Sequence, residues 1–393
     1  MPTTNYICAI CGAGKTTEAI AHVSAAIKSG EKFIIFQPTT ELNQSTFERF
    51  DSAWRQDGTV RVINSASIPE GQTVTGVLND VLKNPGNCLV IICTFEAAVR
   101  LKRRRCKSWN AIVDEVPEAF TVSSIKSRRV ATDLLGLLDF KVCEHEDYLK
   151  VTIQKGKANA LLELVQGSRT DAALKALEQT AQSLMKKQIT YVSKSVYDTF
   201  INANGTSIGF YHIMRPGVFS CYKSTTMMAA NFEESILYRV WKGKYGRLFT
   251  RQTGYSGSSG SLPTQHDRSV GEKLDIYYLM DHYSIKLKKD KNVLKVVQEE
   301  SQRAIQEVFL GEKFIYTQNS GDKRGSLNGV SGANFVSPKA HGSNEHIKVH
   351  CVAILGIFNL SADRVGFLKK ICKIPEEVSW DTLNKEYSYQ FSW

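Results

Sequence analysis

The sequence lacks any apolar run long enough to cross a membrane. Its longest apolar stretches are Asn87–Cys93 and Cys351–Phe358, far shorter than the ~18 residues of a transmembrane helix. It also lacks a basic, apolar leader, because Lys15 is the first basic residue and the apolar stretch Tyr6–Cys11 before it is short. We therefore expect a cytoplasmic protein with no membrane partner.

Cysteine is scarce and scattered. The 393 residues contain nine cysteines, and an odd, dispersed set suits free thiols in a reducing compartment better than a disulfide framework. Cys8 and Cys11 form a C-x-x-C pair within a predicted strand, where packing is favoured and metal or redox use is the alternative. The sequence also has no zinc-finger or helix-turn-helix pattern, so it does not indicate a module that reads base sequence.

The overall composition is that of a folded protein. Apolar residues make up 42% of the chain and charged residues 23%, which excludes wholesale disorder. The length corresponds to roughly two or three domains. The net charge is +11 and the isoelectric point is near 9.1, a balance that favours a polyanionic partner.

A glycine-rich segment follows the first predicted strand. Asn5–Cys11 is a short apolar run typical of a buried parallel strand, and Glu18–Lys28 repeats apolar residues at helical spacing. A strand, a glycine-rich turn and a helix in this order form the setting of a Walker A motif. The residues between them are Gly12, Ala13, Gly14, Lys15, Thr16 and Thr17. We expect these six residues to bind the phosphates of ATP.

Each residue type in this segment has a physical role. Glycine at positions 12 and 14 lets the backbone curl so that successive N–H groups face a phosphate. The positive end of the following helix points to the same place. Lys15 is expected to reach the β- and γ-phosphates as a catalytic residue, and the Thr16 hydroxyl is expected to coordinate Mg²⁺. The predicted cofactors are therefore ATP and Mg²⁺.

An acidic pair follows a second strand. Trp109–Val113 is a predicted strand, and Asp114 and Glu115 stand at its carboxyl end, before Val116 and Pro117. Ligands bind at the carboxyl ends of strands in open α/β sheets. We expect Asp114 to hold Mg²⁺ through water, and Glu115 to orient or deprotonate the attacking water, with both acids catalytic. The alternative is a solvated acidic turn.

These motifs resemble those of superfamily 2 DExx-box helicases and translocases, of the viral or phage type. Pro38–Gln44, after a predicted strand, is similar to motif Ia of that family, and Thr94–Ala98 resembles its Thr-x-x-x-Leu segment. The resemblance implies an α/β fold with two RecA-like parallel-sheet lobes in tandem. It also implies ATP-dependent movement on, or unwinding of, DNA or RNA, with backbone contacts from Pro38, Thr39 and Thr94.

The domain boundaries follow from composition. We expect a first RecA-like, ATP-binding lobe over residues 1–253 with a helical insertion at about 158–187, where Ala, Leu, Lys, Glu and Gln recur at helical spacing. Residues 254–262 are rich in Gly and Ser and predict a linker. Residues 263–393 then form the second lobe, which we expect to be incomplete at its carboxyl end.

Two further segments carry weaker resemblances, and a third is notable for its charge. Val218–Thr226 predicts a strand that ends in Ser224, Thr225 and Thr226, similar to motif III, which couples the nucleotide site to the nucleic-acid path. His341, Gly342 and Asn344 lie in a segment that resembles motif V and implies further nucleic-acid contacts. A basic run includes Arg103, Arg104 and Arg105. It suits salt-sensitive phosphate contact, and an exposed basic helix end is the alternative.

The sequence departs from the family in three ways. The acidic box reads Asp-Glu-Val-Pro, which excludes the DEAD and DEAH subgroups without harming the chemistry. No glutamine-bearing segment precedes the first strand, so we expect no adenine recognition of the DEAD-box type. No arginine follows Arg364, although motif VI of the family supplies arginines to the γ-phosphate. A partner protein or a second copy of the chain would then supply this arginine, or Arg324 or Arg364 would replace it.

Two other functions remain open. An ATP-gated nucleic-acid-binding accessory protein with weak or no hydrolysis would explain the absent motif VI. A P-loop small-molecule kinase would explain the Walker A motif alone.

We predict that the isolated chain binds ATP but hydrolyses it slowly, because an arginine finger contributes about 10³–10⁵-fold to the rate of phosphoryl transfer. Steady-state phosphate release measures this directly. Rapid turnover that persists in both Arg324→Ala and Arg364→Ala would contradict the prediction.

Overall fold

The structure, a computed structural model, divides by its contacts into two compact units. The first unit is Met1–Leu262 with Ser361–Leu383, and the second is Pro263–Leu360 with Asn384–Trp393. The residues described are 3–101, 105–166, 172–185, 188–202, 205–255, 262–264, 291–309, 311–318, 327, 330–336, 349–354, 360–379 and 381–383.

A parallel sheet forms the centre of the first unit. Its strands, numbered along the chain, are β1 (Thr4–Cys8), β2 (Lys32–Gln37), β3 (Val60–Val62), β4 (Val90–Thr94), β5 (Trp109–Asp114), β11 (Ser224–Ala229) and β12 (Phe249–Gln252). Within the described residues the strand order is β12–β1–β11–β5–β2–β4–β3, with every pair parallel. Phe33–Phe36 of β2 and Val90–Cys93 of β4 are buried throughout, as expected for strands covered on both faces.

Helices connect these strands. They are α1 (Lys15–Ala26), α2 (Thr40–Glu48), α3 (Ser52–Gln56), α4 (Val74–Lys83), α5 (Phe95–Arg100) and α10 (Ile236–Tyr245). Ala19, Ile20 and Val23 of α1 lie on one face and pack in the core with Ile7 and Ile35 of the sheet. Because all strands run parallel, the loops that follow β1, β2, β4 and β5 meet at one edge of the sheet.

The insertion in the first unit is larger than the predicted helical one. It contains β6 (Phe120–Ile125), α6 (Arg128–Leu135), β7 (Leu138–Val142), β8 (Tyr148–Ile153), α7 (Ala158–Gln166), α8 (Ala172–Met185), β9 (Ile189–Ser193), α9 (Lys194–Ile201) and β10 (Ile208–Ile213). The strands form an antiparallel sheet in the order β6–β10–β9–β8–β7. Leu161 of α7 and Leu177 of α8 pack with Val192 and Phe210 of this sheet, so the predicted helices cover one of its faces.

The described part of the second unit is built around a shorter parallel sheet. Its elements are α11 (Lys291–Phe309), β13 (Phe314–Thr317), β14 (Ala333–Phe335) and β15 (Cys351–Ile354). β13 pairs in parallel with both β14 and β15, and Ile305 of α11 packs against Phe314 and Tyr316. The predicted α/β class, with a large parallel sheet and a further parallel sheet, is confirmed.

One helix beyond the predicted second-lobe boundary lies in the first unit. This helix is α12 (Ala362–Cys372). Its Phe367 is fully buried and stacks on Tyr211 of β10, with a ring-centroid distance of 4.4 Å, and on Phe120 of β6 at 5.5 Å. The insertion sheet is therefore covered by α12 on the face opposite α7 and α8.

The predicted lobe boundaries themselves stay predictions. Residues 256–261 of the linker lie outside the described residues, and Tyr255 is buried in the core of the first unit. Across the described ranges, no helix has both the length and the apolar character that a membrane span requires.

We predict opposite effects for two helical glycines at this packing. A Cβ on Gly243 of α10 would lie 2.8 Å from the carbonyl oxygen of Cys372, whereas one on Gly366 of α12 would meet no atom within 4 Å. Gly243→Ala should therefore lower the free energy of unfolding by about 1–3 kcal/mol. Gly366→Ala should raise it by up to ~1 kcal/mol through helix propensity. Urea denaturation followed by circular dichroism tests both, and equal stabilisation by the two changes would contradict the packing of α12 on α10.

Candidate nucleotide site

The loop between β1 and α1 has the backbone conformation of a phosphate cradle. Gly12 and Gly14 have φ angles of 77° and 82°, in the left-handed region that favours glycine. A Cβ at either position would meet no atom within 4 Å, so the loop is open on that side. α1 begins at Lys15, and the N–H groups of its first turn have no intrahelical acceptor. The loop therefore fits an anionic phosphate group.

The Lys15 side chain is folded into this loop. Only 7% of the residue is exposed, and its Nζ donates to the carbonyl oxygens of Ala9, at 3.0 Å, and Ile10, at 2.8 Å. Two carbonyl acceptors stabilise a buried ammonium group that has no carboxylate partner at hydrogen-bond distance among the described residues. The cation is thus held at the mouth of the loop, ahead of α1.

The loop and the acidic pair meet at Asp114. The Thr16 hydroxyl donates to Oδ2 of Asp114 at 3.0 Å, and the Gln37 side-chain amide donates to the same oxygen at 2.9 Å. Asp114 is 2% exposed, and burial raises its pKa, while the Gln37 and Thr16 hydrogen bonds and the Lys15 and Arg49 charges oppose this rise. A hydroxyl and a carboxylate oxygen are ligands that Mg²⁺ accepts, so these residues fit a magnesium ion.

The chain turns at Glu115, directly after β5. The φ of this residue is 81°, which is rare for a residue other than glycine, and its N–H donates to the carbonyl oxygen of Met228 at 2.9 Å. Burial, and then the Asp114 charge, raise the pKa of the Glu115 carboxyl from its ordinary value of 4.5 to about 7. The group can therefore gain or lose a proton near neutral pH.

The loops predicted to touch nucleic acid lie farther along the same edge. Gln37, at the end of β2, is paired in register with Thr94, at the end of β4. Pro38 follows Gln37, and Thr39 is the N-cap of α2, where its hydroxyl oxygen accepts from the N–H of Leu42 at 3.1 Å. Thr94 occupies the N-cap position of α5. Three predicted residues are thus brought together beside the acidic pair.

Arg105 is not part of this group. It precedes β5, whose first residue, Trp109, is paired with Lys32, the first residue of β2. Arg105 therefore lies toward the amino edge of the sheet, and its guanidinium donates to the carbonyl oxygen of Asn79 in α4. Other residues predicted to touch nucleic acid lie outside the described residues: Arg103, Arg104, His341, Gly342 and Asn344.

The predicted position of the coupling segment is wrong. β11 begins at Ser224 instead of ending at Thr226, because the preceding Pro216–Val218 forms a 3₁₀ turn. Ser224 is paired with Asn110, whereas Met228 is paired with Asp114. Four residues of parallel strand span about 13 Å, which separates Ser224 from the carboxyl edge. Its hydroxyl donates to Asn110 Oδ1 at 2.8 Å, and that of Thr225 donates to the Phe219 carbonyl oxygen at 3.0 Å.

Sequence reasoning missed two residues of the site. Gln37 ends an otherwise apolar strand, and a polar residue in that position was the signal that could have identified it. Arg49 follows α2, and its guanidinium donates to the hydroxyl of Thr17 in the loop. Nothing in the local pattern around Arg49 indicated this contact.

Of the two arginines proposed to replace those of motif VI, one lies within the described residues and the other does not. Arg364 belongs to α12, and its charge acts on Tyr211 of the insertion sheet, where it opposes the rise in the tyrosine pKa. Arg324 lies outside the described residues. Among the residues that can be placed, no group of three or more His, Cys, Asp or Glu side chains forms a metal site.

Comparisons with known proteins give little beyond this geometry. No protein-family model matches the sequence, and no curated protein matches it. The solved structures that are similar to this chain include one described as an XPD helicase, with a TM-score of 0.47 and 11% identity. The similarity covers 99% of this chain and 89% of that one.

We predict a pH-dependent effect of Glu115→Gln on stability in the absence of nucleotide and metal. Because the pKa of Glu115 is raised from 4.5 to about 7 in the folded state, the fold loses stability as the pH rises through this interval. The shift corresponds to roughly 3 kcal/mol. The neutral glutamine should therefore stabilise the protein at pH 8 by up to about that amount and have little effect near pH 4.

Chemical denaturation at both pH values measures this difference. Glu70→Gln, at an exposed loop position, is the matched control and should show no such change. A stabilisation by Glu115→Gln that is equal at the two pH values would contradict the prediction.

Proposed function

We propose that this chain is an ATP-dependent nucleic-acid helicase or translocase that hydrolyses ATP between the loop at Gly12–Thr17 and the acidic pair Asp114 and Glu115. The observation that carries the proposal is the 3.0 Å hydrogen bond between the Thr16 hydroxyl and Asp114. It brings the proposed phosphate loop and the proposed metal carboxylate to one point, although 98 residues separate them in the chain.

The loop residues bind the triphosphate in this proposal. The free N–H groups at the start of α1 face the phosphates, and Lys15 exchanges its two carbonyl acceptors for β- and γ-phosphate oxygens. Thr16 and Asp114 would hold Mg²⁺. When bound, the ion neutralises charge on the phosphate oxygens. Arg49, which already contacts Thr17, adds a cation on the same side of the loop.

Glu115 accepts the proton of the attacking water. A base is most effective when its pKa is near the working pH, and the raised pKa of Glu115, about 7, meets this condition. In this proposal Asp114, which accepts from Thr16 and Gln37, is the metal ligand, and Glu115 remains available to water. Hydrolysis should therefore increase as the pH rises through about 7.

Nucleic acid lies along the loops that follow β2 and β4. Thr39, which follows Pro38, and Thr94 offer backbone N–H groups and hydroxyls suited to phosphates, and the net charge of +11 favours a polyanion. DNA and RNA both satisfy this chemistry.

A partner protein or a second copy supplies a further arginine to the γ-phosphate, and the cytoplasm is the proposed location. The viral or phage-type resemblance depended on the segment around His341, and no comparison supports it.

We predict that ATP hydrolysis is stimulated by single-stranded DNA, duplex DNA or RNA. Glu115→Gln should retain nucleotide binding but reduce turnover by about 10²–10⁴-fold, because it removes the general base. Lys15→Ala should abolish binding of ATP, because it removes the buried cation of the loop. Lys28→Ala, at an exposed position near the end of the same helical segment, is the control. Phosphate release and nucleotide binding are measured with each polymer and without polymer.

The alternatives give distinct results in the same assay. Nucleic-acid binding without ATP turnover would indicate an ATP-gated accessory protein and not a helicase or translocase. Phosphate transfer to a small acceptor would indicate a kinase. ATP turnover that is unchanged in both Lys15→Ala and Glu115→Gln would show that ATP is not hydrolysed at the proposed site.

A further inference from the structure

A cluster of buried polar side chains joins the metal-side carboxylate to helix α2. It consists of Gln37, at the end of β2, and Asn43 and Thr46, in α2; we call these three residues the amide network. Their exposed fractions are 0%, 0% and 1%. Buried polar side chains are costly unless they are hydrogen-bonded, so the bonds among them determine how they are arranged.

Gln37 uses its side-chain amide on both sides of the network. Its Nε2 donates to Asp114 Oδ2 at 2.9 Å and to Thr46 Oγ1 at 2.8 Å, and its Oε1 accepts from Asn43 Nδ2 at 3.2 Å. Both amide protons are therefore committed, one to the carboxylate and one to α2. A shift of Asp114 cannot leave these bonds intact unless Gln37 moves with it, and Gln37 in turn is held by two residues of α2.

Helix α2 reaches from the nucleotide loop to the proposed nucleic-acid loop. Its N-cap is Thr39, and Arg49, at its other end, donates to Thr17. A nine-residue helix spans about 13 Å. The network contacts α2 at Asn43 and Thr46, between these two ends. The helix is thus attached to the nucleotide site through both Gln37 and Arg49, and it carries Thr39 at its start.

From this arrangement we infer that Gln37 positions Asp114 for the metal, and that the amide network transmits the position of the metal-bound carboxylate through α2 to the Thr39 loop. Metal–nucleotide binding and nucleic-acid binding then strengthen each other. The inference rests on the proposed function of the site. It assigns Gln37 the role of a positioning residue, since Gln37 touches the metal ligand and not the reacting atoms.

Two variants separate positioning from transmission. Gln37→Leu removes the donor to Asp114 as well as the link to α2. The double variant Asn43→Leu with Thr46→Val replaces both α2 partners by side chains of similar volume and leaves the Gln37–Asp114 hydrogen bond in place. Gln56→Leu, at an exposed position that ends α3, is the control.

Binding of a fluorescent ATP derivative, mant-ATP, is titrated with the full-length chain at a range of Mg²⁺ concentrations. Each titration is repeated with and without 20-nucleotide oligothymidylate or oligouridylate. The ratio of the two nucleotide dissociation constants is the coupling factor, and reciprocal titration of the oligonucleotide must give the same factor.

The expected result is a coupling factor of at least about 5 for the wild-type chain and for Gln56→Leu. Both network variants should bring the factor close to 1. Gln37→Leu should also raise the Mg²⁺ concentration for half-maximal binding by about 10–100-fold, whereas the double variant should leave it unchanged. If these residues had a merely structural role, the variants would lower the unfolding temperature and would not differ from each other in the Mg²⁺ concentration that they require.

Other outcomes overturn the inference. A coupling factor of 1 for the wild-type chain would overturn the inference but leave the proposed nucleotide site intact. A coupling factor equal to that of the wild-type chain in Gln37→Leu, or in the double variant, would also overturn the inference. If the wild-type chain binds no mant-ATP, or if Lys15→Ala binds it as tightly as the wild-type chain, the proposed function and the inference are both refuted. The two failures are therefore distinguishable.

Discussion

Burying the negative charge of Asp114 is the constraint on which the first unit depends. A carboxylate removed from water is tolerated only where donors and cations compensate it. Thr16 and Gln37 donate to one of its oxygens, and the Lys15 charge acts on it. These groups come from the loop after β1 and from the end of β2, so one side chain brings separate parts of the sheet edge together.

The strand order sets the distance that the loop after β1 must span to reach Asp114. β11 lies between β1 and β5, and strands two places apart in a sheet are separated by about 10 Å. The loop after β1 must therefore reach across β11 to place Thr16 on Asp114. Ala229 ends β11, and the Ala9 N–H donates to its carbonyl oxygen at 3.2 Å.

Local signals in the sequence were sufficient for the parts of the site that depend on neighbouring residues. The strand β1, the two glycines and the start of α1 follow one another directly, and the continuous apolar runs of β2, β4 and β5 predict buried strands. The contact between Arg49 and Thr17 could not be assigned in this way, since 32 residues separate them in the chain, and neither could the hydrogen bond from Gln37 to Asp114, which joins residues 77 apart. The Ser224–Thr226 error has a related cause: Phe219 and Tyr222 are core residues of a turn, yet in sequence they resemble a strand.

The insertion shows the same limit. Helical periodicity was visible at residues 158–187, whereas the five antiparallel strands around it are short and were not recognised. Phe367 illustrates why, because its aromatic partners are more than 150 residues away along the chain. Packing between such distant segments leaves no local pattern to detect.

The return of the chain to the first unit has a consequence for how the protein can be divided. The chain leaves this unit after Leu262 and re-enters it at Ser361, so the first unit is not encoded by one continuous stretch. A polypeptide shortened to its first 262 residues would keep every residue of the proposed nucleotide site but leave the aromatic face around Tyr211 open to water. Such a fragment would be prone to aggregate through that apolar surface, and supplying α12 as a separate peptide would cover it.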